Sequence, residues 1–501
     1  MIRLKIFFVV GILLFLQIWG CSDDDPVEEE SFVTELRADP LILEFSGEGG
    51  EKILSIFSNT KWSIEFPVSG WVRPLITVSK GNANVKVVAD PNESREERTT
   101  TFTITAQGVE DVVVTIIQAG NESTDDLEDE ELYIEPDNSG MRNLTSLQLS
   151  QLMRIGWNLG NSLEAIIVNN GVYSGGETSW GNPPATKALI DSVKQAGFNS
   201  IRIPVAWSHK LEDQSTYKIS KAWLLRVEEV VNYALDNDMF VIINIHWDGG
   251  WMNHPDHEHQ EAINTKLATL WQQIAVHFRN YDDRLLFAGT NEVMVEGYYG
   301  KPTVENLEVQ NSFNQTFVST VRATGGRNYF RHLIVQGFNT NITYTYNGFI
   351  LPDDAVEKRL MVEVHYYDPW EFTLKEDPPF NTQWGAPFAD GDVTSWGQED
   401  WVEEAFGMMK EKFIDNGIPV ILGEYGAIHR KSLSGEAYVK HKAAREYYLE
   451  YVTHAAKRNG LAPFYWDNGN KADNGCAIFD RGTGEVIDPG TLEAIMRGLI
   501  H

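Results

Sequence analysis

Arg284-Leu-Leu-Phe-Ala-Gly-Thr-Asn291-Glu292 is the stretch on which the fold turns. Leu285, Leu286, Phe287 and Ala288 form a short unbroken apolar run, which suits a strand buried on both faces. The run then stops in small and polar residues: Gly289, Thr290, Asn291 and Glu292. A buried strand that ends in a carboxamide and a carboxylate presents both at the C-terminal rim of a parallel sheet, where α/β folds carry their chemistry. Pro419-Val-Ile-Leu-Gly-Glu424-Tyr425-Gly426 has the same shape. Two apolar strands that each end in one glutamate suggest a carboxylate pair. Either glutamate alone would read as a surface-loop residue; the matched contexts are what join them.

Around these two runs, strands and helices alternate from residue 139 to residue 501. Strands are expected at 155–160, 200–206, 240–246, 285–291, 332–338, 360–366, 419–424 and 461–466. Helical periodicity separates them at 187–196, 222–235, 267–278, 306–322, 399–413 and 437–458. Eight strands with intervening helices predict a (β/α)₈ TIM barrel with loop insertions, in the α/β class. A doubly wound open sheet is the alternative; no Gly-x-Gly-x-x-Gly turn follows the first strand, which weakens a nucleotide-binding version of it.

Polar or aromatic residues stand at the end of strand after strand: Asn158 and Asn161, Arg202 and Trp207, His246-Trp247, Asn291-Glu292, His365-Tyr366-Tyr367, Glu424, and Trp466-Asp467. In a barrel these converge on one rim. Singly, Arg202 could be a structural ion-pair partner, and His246 and His365 satisfied core histidines. In order, Arg202-Ile-Pro-Val, Asn244-Ile-His-Trp, Gly289-Thr-Asn-Glu, Val364-His-Tyr-Tyr and Leu422-Gly-Glu-Tyr-Gly resemble glycoside hydrolase family 5 over roughly residues 140–500. Gly156-Trp-Asn-Leu-Gly-Asn-Ser-Leu-Glu164, Trp180-Gly-Asn-Pro and His246-Trp-Asp-Gly-Gly-Trp251 resemble its subfamily of endo-β-1,4-glucanases that includes xyloglucanases.

That resemblance implies a retaining hydrolase with Glu292 as acid/base and Glu424 as nucleophile. It further implies Arg202 and Tyr367 on the nucleophile, Asn291 on a sugar 2-hydroxyl, His246 on sugar hydroxyls, His365 on the acid/base and Trp466 stacked beneath a sugar. Asn161, Trp180, Trp207, Trp247 and Trp251 are candidate substrate-binding residues, since aromatic faces stack on sugar faces. No metal or organic cofactor is required. His254-Pro-Asp-His257-Glu-His259 fits no strong zinc spacing, so no metal is assigned there.

Upstream, residues 36–120 have an all-β texture. Short alternating runs at 41–45, 52–57, 61–66, 84–88, 99–105 and 111–117 are separated by Gly, Pro and Asn, so six or seven strands and a small immunoglobulin-like sandwich are expected. Thr60-Lys-Trp62, Trp71, Arg98 and Gln118 resemble the BACON domain, which often precedes bacterial carbohydrate-active enzymes. Trp62 falls at an inward position and reads as core rather than as a sugar platform. Residues 1–21 read as a signal: Arg3 and Lys5 lead an apolar run of 14 residues, Ile6 to Trp19, short of the ~20 that a spanning helix needs. Cys21 and the acidic run behind it resemble a bacterial surface-lipoprotein signal, with Cys21 the lipidated N-terminus. Acidic segments 22–35 and 121–138 read as tether and linker. The order is similar to that of surface lipoprotein endo-xyloglucanases, which implies a monomer anchored by lipid to the bacterial outer membrane, with its catalytic domain outside.

Composition narrows the partners. A net charge of −31 argues against nucleic acid and against anionic membrane surfaces, both of which need basic patches. An uncharged polysaccharide suits it. With two cysteines, Cys21 and Cys476, there is no disulfide framework. Two alternatives stay open: a broad-specificity cellulase or mixed-linkage β-glucanase, and a non-catalytic glycan-binding surface lipoprotein.

Overall fold

The computed structural model describes residues 34–66, 71–92, 96–120 and 131–500. The chain divides into two compact units between Asp129 and Glu130. The proposed signal, Cys21 and most of the acidic tether lie outside the described residues.

The first unit is two facing β-sheets around one core. One sheet runs Leu36–Asp39, Gly50–Ser58, Ala83–Ala89, Val72–Pro74; the other Ile42–Phe45, Val112–Gln118, Arg98–Ala106, Lys61–Glu65, Val78–Lys80. That makes nine strands where six or seven were expected. The additional ones, Leu36–Asp39, Val72–Pro74 and Val78–Lys80, are three or four residues long and too short to show an alternating period. Alternate residues point inward, so that Leu54, Ile56, Val85 and Val87 meet Ile64, Phe102, Ile104, Val114 and Ile116. Trp62 is in this core, and its indole N–H donates to the Gly81 carbonyl at 2.8 Å. Arg98 lies over the Trp71 ring, and its Nε donates to Gln118 Oε1 at 2.9 Å. The buried Gln118 donates in turn to the carbonyls of Ser46 and Asp90. A buried amide satisfied in this way ties the final strand to the loops at one end of the unit.

The second unit is a closed barrel of eight parallel strands. They are β1 (Gly156–Leu159), β2 (Ser200–Ile203), β3 (Phe240–Asn244), β4 (Leu285–Ala288), β5 (Leu333–Asn341), β6 (Leu360–Tyr366), β7 (Val420–Tyr425) and β8 (Ala462–Asp467). β8 pairs back onto β1, with Asn158 opposite Trp466. Closure rules out the doubly wound alternative. A helix follows each strand: Lys187–Gln195, Lys221–Leu235, Gln260–His277, Val304–Ala323, Ile342–Gly348, Glu399–Lys412, Gly435–Arg458 and Pro489–Gly498. Ile242, Leu286, Ala288, Ile334, Met361, Ile421 and Phe464 fill the lower barrel, where Leu149 from the helix Ser146–Leu152 and Met153 just after it pack against them.

Gly156 is where β1 makes room for β8. A Cβ there would lie 2.0 Å from Phe464 Cδ1. Gly156→Ala forces Phe464 from its packed position and should cost about 1–3 kcal/mol, as overpacking does. Urea unfolding of the barrel should show a lower midpoint; an unchanged midpoint would mean that the contact is slack.

Candidate active site

β2, β4, β6 and β7 end on the same rim, and residues at or just beyond their ends meet. Arg202 of β2 is fully buried at the centre. Its NH1 donates to Glu424 Oε1 at 2.9 Å and to Asn158 Oδ1 at 3.1 Å, and its NH2 donates to Asn291 Oδ1 at 2.6 Å. Its Nε lies 2.8 Å from Glu363 Oε1. Tyr367 completes the seat of Glu424 by donating its hydroxyl to Oε2 at 3.0 Å.

Glu292 sits in the loop after β4. His365 bridges it to the interior, with Nδ1 2.6 Å from Glu292 Oε1 and Nε2 3.2 Å from Glu363 Oε1. One oxygen of Glu292, one of Glu424 and a ring nitrogen of His365 all lie within 4.8 Å of one another. The two carboxylates differ in exposure: the Glu292 side chain is 40% exposed and that of Glu424 7%. Glu292 also stands between two hollows. One, of about 360 Å³, is lined by Trp180, His246, Trp247, Met252, Asn291 and Tyr299. The other, of about 200 Å³, is lined by Asn339, Asn341, His365, Tyr367 and Trp401.

Charge sets the protonation of these groups. Burial alone would strip the proton from His365, but Glu424, Glu292 and Glu363 outweigh it and hold the imidazole at about 9. Burial would raise Glu363, yet Arg202 and His365 pull it down to about 2. Glu424 is raised above the ordinary 4.5 by burial, with His365 and Arg202 opposing. His246 goes the other way: burial and the cations Arg202 and His365 keep it well below its ordinary value, hence neutral. Burial, Glu424 and Glu292 hold the Tyr367 phenol well above 10, so it remains a donor. Two carboxylates and an imidazole this close resemble a donor set for a divalent cation. They fit one poorly, because both ring nitrogens of His365 are already engaged by Glu292 and Glu363 and the Arg202 guanidinium stands against Glu424.

The remaining predicted residues distribute as follows. His246 stacks parallel to Trp466, with ring centroids 6.0 Å apart. Asn291 Nδ2 lies 3.4 Å from His246 Nε2. Trp180 and Trp247 are exposed and line the larger hollow. Asn161 has a positive φ of 56° in the turn after β1, where its N–H donates to Glu164. Trp207 is wholly buried, with its indole N–H on the Asn244 carbonyl at 3.0 Å. It offers no ring face to a sugar, which corrects its place among the substrate-binding candidates. Trp251 is half-buried; its indole N–H donates to Asp248 Oδ2 at 2.7 Å, and the Lys266 ammonium lies 4.3 Å from its ring. The His254 and His259 rings lie 5.1 Å apart on the surface, next to Glu296 and Asp256. Cys476 is buried and free, and burial holds its thiol up at about 12.

Sequence reasoning missed Glu363 and Gln336. Gln336 of β5 donates to Glu363 Oε2 at 2.6 Å, and its Oε1 accepts from the backbone N–H and hydroxyl of Thr290. The available signal was a charged residue inside the apolar run Met361-Val-Glu-Val364, since a strand buried on both faces holds a charge only when it is paired.

Comparison with known proteins fits this geometry. Residues 167–472 match the model for cellulase (glycosyl hydrolase family 5), and residues 60–119 match BACON, a putative binding domain, N-terminal. A xyloglucan-specific endo-beta-1,4-glucanase of Bacteroides ovatus is 45% identical over 491 residues, covering 97% of this chain and 95% of that protein. A solved GH5 xyloglucanase from Bacteroides ovatus, in complex with a XXXG heptasaccharide, superposes with a TM-score of 0.72 at 45% identity, over 94% of this chain and 100% of that one. A GH5-4 broad specificity endoglucanase from Bacteroides salanitronis gives a TM-score of 0.65 at 40% identity, over 72% and 98% of the two chains. The chain belongs to glycoside hydrolase family 5.

Proposed function

We propose that the protein is a retaining endo-β-1,4-glucanase that hydrolyses xyloglucan by double displacement. One observation carries this: the Glu292 and Glu424 carboxylates lie together, with oxygens within 4.8 Å, one facing the cleft and one buried against Arg202. Retaining pairs stand about 5–5.5 Å apart and leave no room for a water between carboxylate and sugar; inverting pairs are wider. Xyloglucan is favoured because the relative spanning 97% of the chain is named for it. The broad-specificity relative at 40% identity supports a wider β-glucanase as the second reading.

On this proposal Glu292 protonates the glycosidic oxygen while Glu424 attacks the anomeric carbon. The bond to the leaving sugar breaks and a glycosyl ester forms on Glu424. Water then attacks that carbon, Glu292 takes its proton, and the ester bond breaks with the original configuration restored. Arg202 and Tyr367 stabilise the departing and returning carboxylate. Asn291 and His246 meet hydroxyls of the attacked sugar, and Trp466 stacks beneath it. Hollows on both sides of Glu292 suit a chain that continues past the cleavage point, hence internal cutting. Cys21 would carry the lipid that holds a monomer to the outer membrane, with residues 22–35 and 121–138 as tether and linker and the sandwich as spacer.

Purified protein should release reducing ends fastest from xyloglucan within a panel that includes barley glucan, carboxymethylcellulose, mannan and xylan. Equal rates on barley glucan would favour the broad enzyme. Glu292→Gln should lower kcat by roughly 10²–10⁴-fold, the usual worth of a general acid, yet retain polysaccharide binding; unaltered behaviour would mean a binding protein. The pH dependence has a definite sign. Glu424 must be ionised to attack, and burial raises its pKa, so kcat/KM should fall on the acid side at a pH above the ordinary carboxylate value of 4.5. Full activity below that value would contradict the assignment.

A further inference from the structure

Glu363 lies beneath the carboxylate pair, fully buried, two residues before His365 on β6. Neither of the two rim carboxylates touches it, but it touches what touches them. Oε1 meets Arg202 Nε at 2.8 Å and His365 Nε2 at 3.2 Å. Arg202 in turn holds Glu424 and Asn291, and His365 holds Glu292. Oε2 accepts from Gln336 at 2.6 Å, and Gln336 accepts from Thr290, two residues before Glu292. The seat is built into β7 as well. A Cβ at Gly423 would lie 2.0 Å from Glu363 Oε1, so the residue before Glu424 has no room for a side chain.

We propose that Glu363 is the positioning residue of the site: a buried carboxylate that fixes Arg202 and His365 against each other, and through them fixes the placement of both Glu292 and Glu424. The inference rests on the hydrolase reading above for its kinetic consequences, though not for its electrostatic ones. Removing one partner of a buried ion pair leaves the other charge uncompensated. Without the Glu363 charge, the cluster would keep two cations, Arg202 and His365, facing Glu424 and Glu292. The titratable groups around it are Arg202 from β2, His246 after β3, Glu292 after β4, His365 and Tyr367 from β6 and its end, and Glu424 from β7. A lost negative charge makes a nearby group hold its proton less well, so His365 becomes less basic, and Glu424, while His365 stays protonated, more acidic.

Glu363→Gln is isosteric and tests this directly. The acid limb of kcat/KM against pH should move to lower pH, by about one unit or more, and kcat should fall by about 10²-fold, the worth of a small misplacement, with KM changed far less. Glu363→Asp keeps the charge, so its profile should stay in place while its rate drops. Gly423→Ala displaces the same oxygen without deleting it and should shift the profile the same way as Glu363→Gln, by less; it serves if Glu363→Gln does not fold. An activity-independent readout separates this inference from the hydrolase reading. The His365 imidazole, assigned in NMR spectra of the full chain with His365→Gln, should titrate near the 9 expected from its surroundings and lower in Glu363→Gln. If the wild type cleaves no glucan but His365 behaves in this way, the hydrolase reading fails and the positioning role stands. If Glu363→Gln keeps the wild-type profile and His365 titration, or loses rate with neither moved, the inference is overturned.

Discussion

A guanidinium with no access to water needs partners that replace its hydration, and Arg202, at the rim of the barrel, finds them in two carboxylates and two amides. Burial would strip its proton, but Glu363 and Glu424 keep its pKa above the ordinary value. Asn158 and Asn291 accept from its remaining N–H groups. Ion clusters of this kind contribute little net stability, because desolvation cancels most of the attraction. Their effect is geometric. Three strands, β1, β6 and β7, and the loop after β4 each send a polar group to the one cation on β2.

The difference between the two glutamates follows from that frame. Glu424 is enclosed, with one oxygen on Arg202 and the other on Tyr367. Glu292 has one partner, His365, and an open side toward two hollows. One carboxylate is thereby held inward by two fixed donors, which oppose but do not cancel the effect of its burial, while the other can meet a group that arrives from solvent. Two environments assigned to two like residues are what acid/base division of labour requires.

Much of this was legible in the sequence, for a physical reason. Strands buried on both faces leave continuous apolar runs, so each barrel strand showed itself within a few residues, and its polar end marked the rim. Arg202, His246, Asn291, Glu292, His365, Tyr367, Glu424 and Trp466 all come from such ends and all meet in the structure. What the sequence hid was partnership in depth. Glu363 belongs to the interior of β6 rather than its end, and although a charge within an apolar run must be paired, nothing local names its partner. Trp207 and Trp247 each follow a strand of the same texture, yet one is sealed beneath the β3 loop and the other faces the cleft. Loop residues lack a period that would tell them apart. The short edge strands of the first unit were lost for the same want of period.

Two carboxylates this close allow direct attack on the sugar. The anomer released first reports this. Proton NMR of a soluble β-1,4-glucan oligosaccharide during the first minutes of cleavage should show the β-anomer of the new reducing end, with the α-anomer growing in only by mutarotation. An initial α-anomer would mean that a water stands between carboxylate and sugar, and that the close pairing of Glu292 with Glu424 is not the arrangement that does the chemistry.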